Sequence, residues 1–464
     1  MDLEISEVFE SRRGNTCISI NNFKLTKYRV LKSGDFYFRC TNKKCNGLYV
    51  VNKLYTKVIQ VINDHSKHSE YSANEIEKEM IRSVVKRKAE TELHIQPSKI
   101  IRQTLNLNQG NNLKHSDIHL LRNSMYAARK KQFPTLPKNI NEAINQIREM
   151  QENLLFKGEQ FIYLSKDENV VILTCPKNLS VLCNAQHVFG DGTFDYCPKL
   201  FNQLYTIHIY QNHFYVPVIF CFLKSKSIST YNTMWITIQD LCVHTLNQEL
   251  NIKEFHVDFE ISAHNALLNL YPDCKIVACT FHLAQSWFRH IQSNKQLLLE
   301  YNNKNSNIGN WLKSFFGLPY LPPEEVKDAF TQLISDCPTS DFSFSDYVLE
   351  TYIIPDSKFN PKLWAGHPKD EPRTTNGVEA FHRHFNQQFY TPHPHIHQVI
   401  DVILKIQSET ELKITSINKN INNYRRKESI ESVEHRINLW TKYTSGEIDQ
   451  IKYIQIMGNC YCKK

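Results

Sequence analysis

The apolar pattern is densest from Val188 to Leu223, VFGDGTFDYCPKLFNQLYTIHIYQNHFYVPVIFCFL. A short apolar strand opens it and carries one acid, Asp191, between two glycines. Beyond a connector with Pro198, the runs LYTIHIY and FYVPVIFCFL flank the polar turn Gln211-Asn212-His213, a pattern that predicts a hairpin. The second run is apolar at nearly every position and is expected to be buried on both faces. A carboxylate beside such a hairpin needs a partner, and two are open: it caps the turn before Thr193, or it holds a metal ion.

Elsewhere the pattern changes character several times. Residues 9–62 alternate strand-like runs with turns (TCISINNFKLTKYRVL, FYFRC, GLYVV, VIQVI) and predict a small all-β unit. Residues 70–150 shift to helical spacing in ANEIEKEMIRSVVKRKAE, PSKIIRQTLNL and HSDIHLLRNSMYAARKKQF. FPTLPKN, at 133–139, is a proline-punctuated boundary. Residues 151–183 are expected to give a helix and then the strands FIYLS and VVILTC. After the hairpin come a helix, the strand EFHVDFE ending at Asp258, a helix, the strand KIVACTF and a further helix. This order predicts a mixed central sheet covered on both faces, with its first and fourth strands side by side. A helical segment is expected from Ser293 to Trp364, and one or two helices over 398–464.

With 464 residues and 41% hydrophobic content, the chain has enough material for a large core and at least two domains. No apolar run reaches the roughly 18 residues of a membrane span, and the N-terminus has no apolar signal core, so a soluble protein without membrane partners is expected. Thirteen cysteines, an odd number in scattered apolar contexts, suit a reducing compartment. The net charge of +8 is unevenly placed: residues 1–150 carry +11 and residues 151–464 carry −3. The first third is therefore expected to meet a polyanion.

The β unit is too short to bury a stable core alone, so a staple is expected. Cys40 and Cys45 (C-x4-C) with His65 and His68 (H-x2-H) offer a closed, structural zinc site. Arg12, Arg13, Lys24, Lys27, Arg29, Lys32, Arg39, Lys43 and Lys44 interleave with aromatics as a candidate phosphate-contacting surface. In the next region Arg82, Lys86, Arg87 and Lys88 fall on one helix, and Arg122, Arg129, Lys130 and Lys131 on another. A helix-turn-helix-like DNA contact and a plain helical linker are both open. The run FESRRGN…FYFRCTNKKC…HSKH resembles the FLYWCH zinc finger, a small β-rich and often DNA-binding module, over about residues 8–68. It departs from that family at Phe38, where tryptophan is usual, and in the His pair, separated by two residues instead of one, which leaves open which histidine binds the metal.

Asp191 and Asp258 occupy equivalent strand ends, and a third acid, Glu379, lies in RTTNGVEAFHRHFN, a helix opened by Thr375-Asn376-Gly377. Three carboxylates on two adjacent strands and a packing helix can hold two Mg²⁺ or Mn²⁺ ions for an in-line displacement at phosphorus. Singly, Asp258 also reads as a helix cap and Glu379 as a surface residue. DGTF, Pro198, Gln203-Leu204, DFE, Cys279-x2-His282 and TTNGVEAFH together resemble the transposases of Mutator-like elements, over about residues 165–390. That resemblance implies a ribonuclease H-like domain whose Asp-Asp-Glu triad falls on Asp191, Asp258 and Glu379. Cys279 and His282 match the family's Cys-x2-His motif; positioning of the active site or its DNA, buried packing, and metal binding with help from His382 and His384 are all open. Trp287, Trp311 and Trp364 are either core residues or platforms for unpaired bases. HPHIHQ (His393 to Gln398) reads as a polar surface loop, and the C-x-C of the terminal GNCYCKK is a weak metal signal.

The expected fold class is thus α/β: a ribonuclease H-like mixed-sheet catalytic domain (165–392, helical insertion about 293–364), preceded by a β-rich zinc finger (8–68) and a basic helical region (70–150), and followed by C-terminal helices (393–464). The expected function is a nuclear DDE-type DNA transposase, a Mg²⁺-dependent polynucleotidyl transferase and nuclease with zinc in its finger, acting on element ends and target DNA as a homo-oligomer. The alternatives are a host-adopted DNA-binding regulator that has lost transposition, and a nuclease acting on RNA.

Overall fold

The computed structural model describes the chain apart from residues 1, 2, 4, 7, 12, 67, 93, 94, 108–112, 463 and 464 and the side chain of Cys462. It is a mixed α/β protein that divides into two compact units, one of Met1–Leu136 with Gln388–Tyr390, the other of Pro137–Gln387 with Thr391–Lys464. The boundary falls inside the proline-punctuated stretch.

In the first unit, β1 (Phe9–Glu10), β2 (Thr16–Ile20), β3 (Phe23–Val30), β4 (Phe36–Cys40), β5 (Leu48–Val51) and β6 (Val58–Asn63) form one antiparallel sheet in sequence order. Asn21 and Asn22 join β2 to β3 with φ of 48° and 63°, the left-handed pair that a two-residue hairpin turn requires. Alternating residues bury Ile18, Ile20, Leu25, Phe38, Tyr49 and Val51 in a common core. Three helices follow: α1 (Ala73–Thr91), α2 (Pro97–Leu107) and α3 (His115–Lys130). Ser72 and Glu75 close a capping box on α1. Ile81, Val85 and Ala89 of α1 pack with Ile100, Ile101, Leu121 and Met125. The sheet and helices pack together within this unit: Phe9 and Cys17 pack with Ile76, and the Glu10 N–H donates to Ser83 Oγ at 2.9 Å.

The second unit opens with α4 (Ile140–Gln151) and the short pair β7 (Leu155–Phe156) and β8 (Glu159–Gln160), so the helix expected after residue 151 lies before it. Then come β9 (Ile162–Leu164), β10 (Val170–Leu173), α5 (Pro176–Cys183), β11 (His187–Thr193), β12 (Gln203–Gln211), β13 (Phe214–Leu223), α6 (Ile228–Leu246), β14 (Glu254–Val257), α7 (Ile261–Leu270) and β15 (Lys275–Ala278). The β12–β13 hairpin turns on Asn212 and His213, both with positive φ. The sheet order is β15-β14-β11-β12-β13-β10-β9. β12 runs antiparallel to both of its neighbours, β11 and β13, whereas β14 runs parallel to β11 and β15 parallel to β14. The strands bearing Asp191 and Asp258 are therefore neighbours, as expected.

Helices α8 (Thr280–Ser293), α9 (Lys295–Asn302), α10 (Asn307–Phe315), α11 (Pro323–Ser335) and α12 (Ser343–Val348) lead through a coil-rich segment to α13 (Asn376–Asn386). Trp287, Trp311 and Trp364 lie in the core of this helical segment, and the Trp311 and Trp364 ring N–H groups donate to the carbonyls of Leu333 and Phe359. Rings buried in this way cannot stack on bases, so all three are core residues and not platforms. The C-terminus forms three helices rather than one or two: α14 (Ile396–Asn418), α15 (Lys427–Thr444) and α16 (Gln450–Cys462). α14 belongs to the sheet's core through Ile414 and Ile417, and α16 to the helical core through Tyr453, Ile454 and Met457. Of the terminal C-x-C, the Cys462 side chain lies outside the described residues.

Candidate active site

Successive strand residues alternate faces, so His187, Phe189 and Asp191 share one face of β11, and Glu254 and His256 share the matching face of β14. Asp258 follows one residue past the end of β14, level with Asp191. The glycines around Asp191 are required by the opposite face. A Cβ on Gly190 would stand 2.4 Å from Tyr205 Oη and 2.5 Å from Phe255 Cζ, and one on Gly192 would stand 1.6 Å from Gln203 Nε2. At Gly190 two buried rings stand in the way, whereas at Gly192 the Gln203 amide would have to swing aside.

Asp191 is 8% exposed. Its Oδ1 accepts from the Gly192 N–H at 2.8 Å, and its Oδ2 lies 3.0 Å from His382 Nδ1. The other His382 nitrogen meets Thr206 Oγ1 at 2.8 Å, and Thr206 Oγ1 also meets His208 Nε2 at 3.0 Å. Asp191 is thus anchored to α13 through a buried imidazole with partners at both nitrogens. Burial holds His208, at the end of that chain, well below the usual histidine range.

Asp258 has the opposite electrostatic fate. Burial, then repulsion from Asp191 and Glu260, pushes its carboxyl up to about 6, with His282 acting in the other sense. The His264 ring meets its main-chain oxygen at 2.6 Å and fixes the loop. Glu260 receives the Tyr231 hydroxyl at 3.0 Å.

Glu379 sits in the first turn of α13, one turn before His382 and on the same helix face. Its Oε1 lies 3.5 Å from His282 Nε2 and 3.4 Å from the Thr375 hydroxyl. Cys279, at the start of α8, accepts from the Thr375 N–H at 3.3 Å and from its hydroxyl at 3.2 Å. Burial opposes the charged form of His282, but the Cys279 sulfur, Asp258 and Glu379 outweigh it and raise the imidazole to about 9. His282 is therefore a cation at neutral pH among carboxylates.

All five expected residues, Asp191, Asp258, Glu379, Cys279 and His282, thus converge at the C-terminal ends of β11 and β14. The tightest donor set there is Cys279, His282 and Glu379, whose ligand atoms lie within 4.8 Å of one another, rather than the three carboxylates. His382 pairs with Asp191 instead of completing a Cys279–His282 metal site, and His384 is exposed. Sequence reasoning missed Glu260, Tyr231 and the His382–Asp191 pair. The i, i+3 spacing of Glu379 and His382 was the available signal for the last. As a cation site the region has both characters: three hard carboxylates, of which Asp191 and Asp258 repel each other in a way that a divalent ion relieves, and a softer pair at one side, the Cys279 sulfur and the His282 nitrogen, the latter only after it gives up its proton.

In the first unit, Cys40 ends β4 and Cys45 follows a turn closed by its own N–H to Asn42 O at 3.0 Å. Cys40 Sγ lies 3.3 Å from His68 Nε2, and Cys45 Sγ lies 3.5 Å from His65 Nδ1. All four donor atoms fall within 4.8 Å of one another, so both histidines face the cysteines. The Asn42 and Gly47 N–H groups donate to the two sulfurs, and His68 Nδ1 bonds to Ser69 O at 2.8 Å, leaving Nε2 to face inward. These residues fit a tetrahedral zinc ion. Burial resists ionisation of Cys45, but the Ser66 and Gly47 N–H groups, with His68 and Cys40, bring its thiol down to about 7.

The basic candidates divide by exposure. Arg13, Lys43, Lys44, Arg87, Lys130 and Lys131 are exposed; Arg82, Lys86 and Lys88 are half-buried, with Lys86 paired to Glu10. Arg129 must be removed from the basic face. It is 6% exposed and donates to the carbonyls of Ala89, Glu92 and Ile95 at the C-terminal end of α1. Arg12 lies outside the described residues. Among the described residues, no helix is long and apolar enough to cross a membrane. No family model matches the chain, and no curated protein matches it.

Proposed function

We infer that the second unit is a ribonuclease H-like nuclease and strand transferase of the Mutator-like transposase kind, and that the first unit is a zinc-stabilised, FLYWCH-type DNA-binding module. The reading rests on one observation above all: Asp191 and Asp258 stand level at the ends of two adjacent parallel strands, with Glu379 on the first turn of α13 beside them, and burial together with Asp191 and Glu260 pushes the Asp258 carboxyl up. A carboxylate held at such electrostatic cost fits a site built for divalent cations. Three antiparallel strands followed by two parallel ones beside the first also fit a ribonuclease H-like sheet.

Mg²⁺ or Mn²⁺, when bound, activates a water or 3′-hydroxyl and steadies the leaving oxygen. The chain's own residues do the rest. Asp191, Asp258 and Glu379 offer the hard oxygen ligands. His382 and the Gly192 N–H fix the Asp191 carboxylate in one orientation. His282, cationic at neutral pH, stands beside Glu379 where it can meet a phosphate oxygen. Cys40, Cys45, His65 and His68 would hold zinc and fix the β sheet, with Arg13, Lys43, Lys44, Arg87, Lys130 and Lys131 available to DNA phosphates. Pairing two element ends calls for an oligomer, and a DNA substrate of this kind implies a nuclear location.

A second reading, a host-adopted DNA-binding regulator, is favoured by a different observation. Glu379 pairs with His282 and Asp191 with His382, so two of the three acids have partners within the chain itself. Plasmid nicking decides between the two. The full chain, with Mg²⁺ or Mn²⁺ and a plasmid carrying the DNA that flanks its gene, is expected to nick, and Glu379→Gln is expected to abolish nicking while leaving DNA binding intact. Equal binding by both proteins with no metal-dependent nicking by either would reject the nuclease and favour the regulator.

A further inference from the structure

A second cluster of metal-ligating side chains lies on the same face of β11 and β14 as the acids, at the opposite end of the strand pair. Asp191 follows His187 by four residues, about 13 Å of extended strand. His187 stands opposite Glu254 in the parallel register, and Phe189 opposite His256. Three donor atoms converge there: His187 Nδ1, Glu254 Oε2 and His256 Nε2. They are 3.2, 3.4 and 3.8 Å apart, and the point in their plane equidistant from all three is about 2.0 Å from each, the length of a zinc–nitrogen or zinc–oxygen bond (about 2.0–2.2 Å). We propose that His187, Glu254 and His256 bind a divalent transition-metal ion, zinc by preference, that clamps β11 to β14 at their N-terminal edge.

The surroundings are those of a built site. Phe189 stacks on the His256 ring at 4.2 Å and 10°, which locks its orientation. Lys275 of β15 bonds the other Glu254 oxygen at 2.8 Å, so Oε2 alone is turned to the imidazoles. Glu371 lies 3.8 Å from His187 Nε2, on the side away from the cluster, where a carboxylate steadies a ligating histidine. Without an ion the proton arrangement is poor. A proton on His256 Nε2 obliges a bare His187 Nδ1 to face the Glu254 carboxylate. If the proton moves to His256 Nδ1, that buried atom has no hydrogen-bond partner, and a single His187 proton must serve two acceptors. A dication replaces that one proton and meets three lone pairs.

Two histidines and one carboxylate leave a fourth position for water. The set differs from the four-ligand cluster of the first unit in having no sulfur, and this separates the two experimentally. The full chain, His187→Gln, Glu254→Gln and Cys45→Ser are each equilibrated with buffered zinc, and bound zinc per chain is measured by atomic emission. The wild type is expected to hold about one equivalent more than either His187→Gln or Glu254→Gln. Combining His187→Gln with Cys45→Ser is expected to remove more zinc than either change alone. Zinc is further expected to raise the melting temperature of the wild type, read by tryptophan fluorescence, and to raise that of the near-isosteric Glu254→Gln less. If Glu254→Gln and His187→Gln, folded by circular dichroism, keep the wild-type zinc content and the wild-type thermal response, the proposal is overturned. Should His187→Gln fail to fold, Glu254→Gln alone decides.

Discussion

Replacing Asp258 with asparagine tests the electrostatics of the acid site without any assay of activity. The carboxyl titrates near about 6 in the folded protein instead of the usual 3.8. For an acid raised on folding, the folded state holds its proton more tightly, so the charge costs stability. That cost begins as pH rises past the unfolded value and is complete above the folded one. Two pH units correspond to about 3 kcal/mol, and the half-buried position makes that an upper bound. The amide of the variant carries no such charge. Asp258→Asn is therefore expected to stabilise the metal-free second unit by about 1–3 kcal/mol at pH 8, a rise of roughly 3–6 °C in melting temperature, and to lose most of that advantage by pH 4. All five tryptophans, Trp235, Trp287, Trp311, Trp364 and Trp440, lie in the second unit, so intrinsic fluorescence during a thermal ramp reports on it alone. Mg²⁺ or Mn²⁺ is expected to raise the wild-type melting temperature and to leave the variant nearly unmoved. A variant less stable than wild type at pH 8, with an equal deficit at pH 4, would refute the account of Asp258.

Other perturbations have signs as definite. His382→Ala removes the partner of Asp191 and one contact of the buried Thr206 hydroxyl, and is expected to cost about 1–3 kcal/mol in the same melt. Gly190→Ala drives a methyl into Tyr205 and Phe255 and is expected to cost about 1–3 kcal/mol, measured by urea unfolding. Arg129→Ala removes one donor from each of three carbonyls and is expected to destabilise the first unit, by circular dichroism, without changing the salt dependence of DNA binding. Lys130→Ala with Lys131→Ala, both exposed, is expected to do the reverse: the slope of log affinity against log salt becomes shallower by roughly 1–2, while stability is unchanged.

The hydrophobic pattern made the backbone order of the second unit legible. The alternation and breadth of the runs around Gln211-Asn212-His213 fixed the hairpin, and the order of three strands, a helix and a fourth strand led to the expectation that the fourth lies beside the first. That put Asp191 near Asp258. Side-chain pairings across long separations were not legible. His382 reaches Asp191 because α13 packs on β11, and the helix face it presents depends on tertiary packing. The His187–Glu254–His256 cluster exists only in the parallel register of β11 and β14, although the alternation in EFHV already put Glu254 and His256 on one face. Arg129 was readable and misread. Leu121 and Met125 recur at four-residue spacing in α3, and the next position on that buried stripe is Arg129. The three tryptophans likewise follow their apolar neighbours into the core.

The central claim, metal-dependent DNA strand cleavage by Asp191, Asp258 and Glu379, is tested most directly by mapping strand ends. The purified chain and its Asp191→Asn variant are incubated with Mg²⁺ or Mn²⁺ and the DNA flanking the gene, and new 3′-hydroxyl ends are sequenced. The account predicts ends at discrete positions that require the metal and vanish in the variant. Site-specific binding with no new ends, or ends that persist in Asp191→Asn, would contradict it.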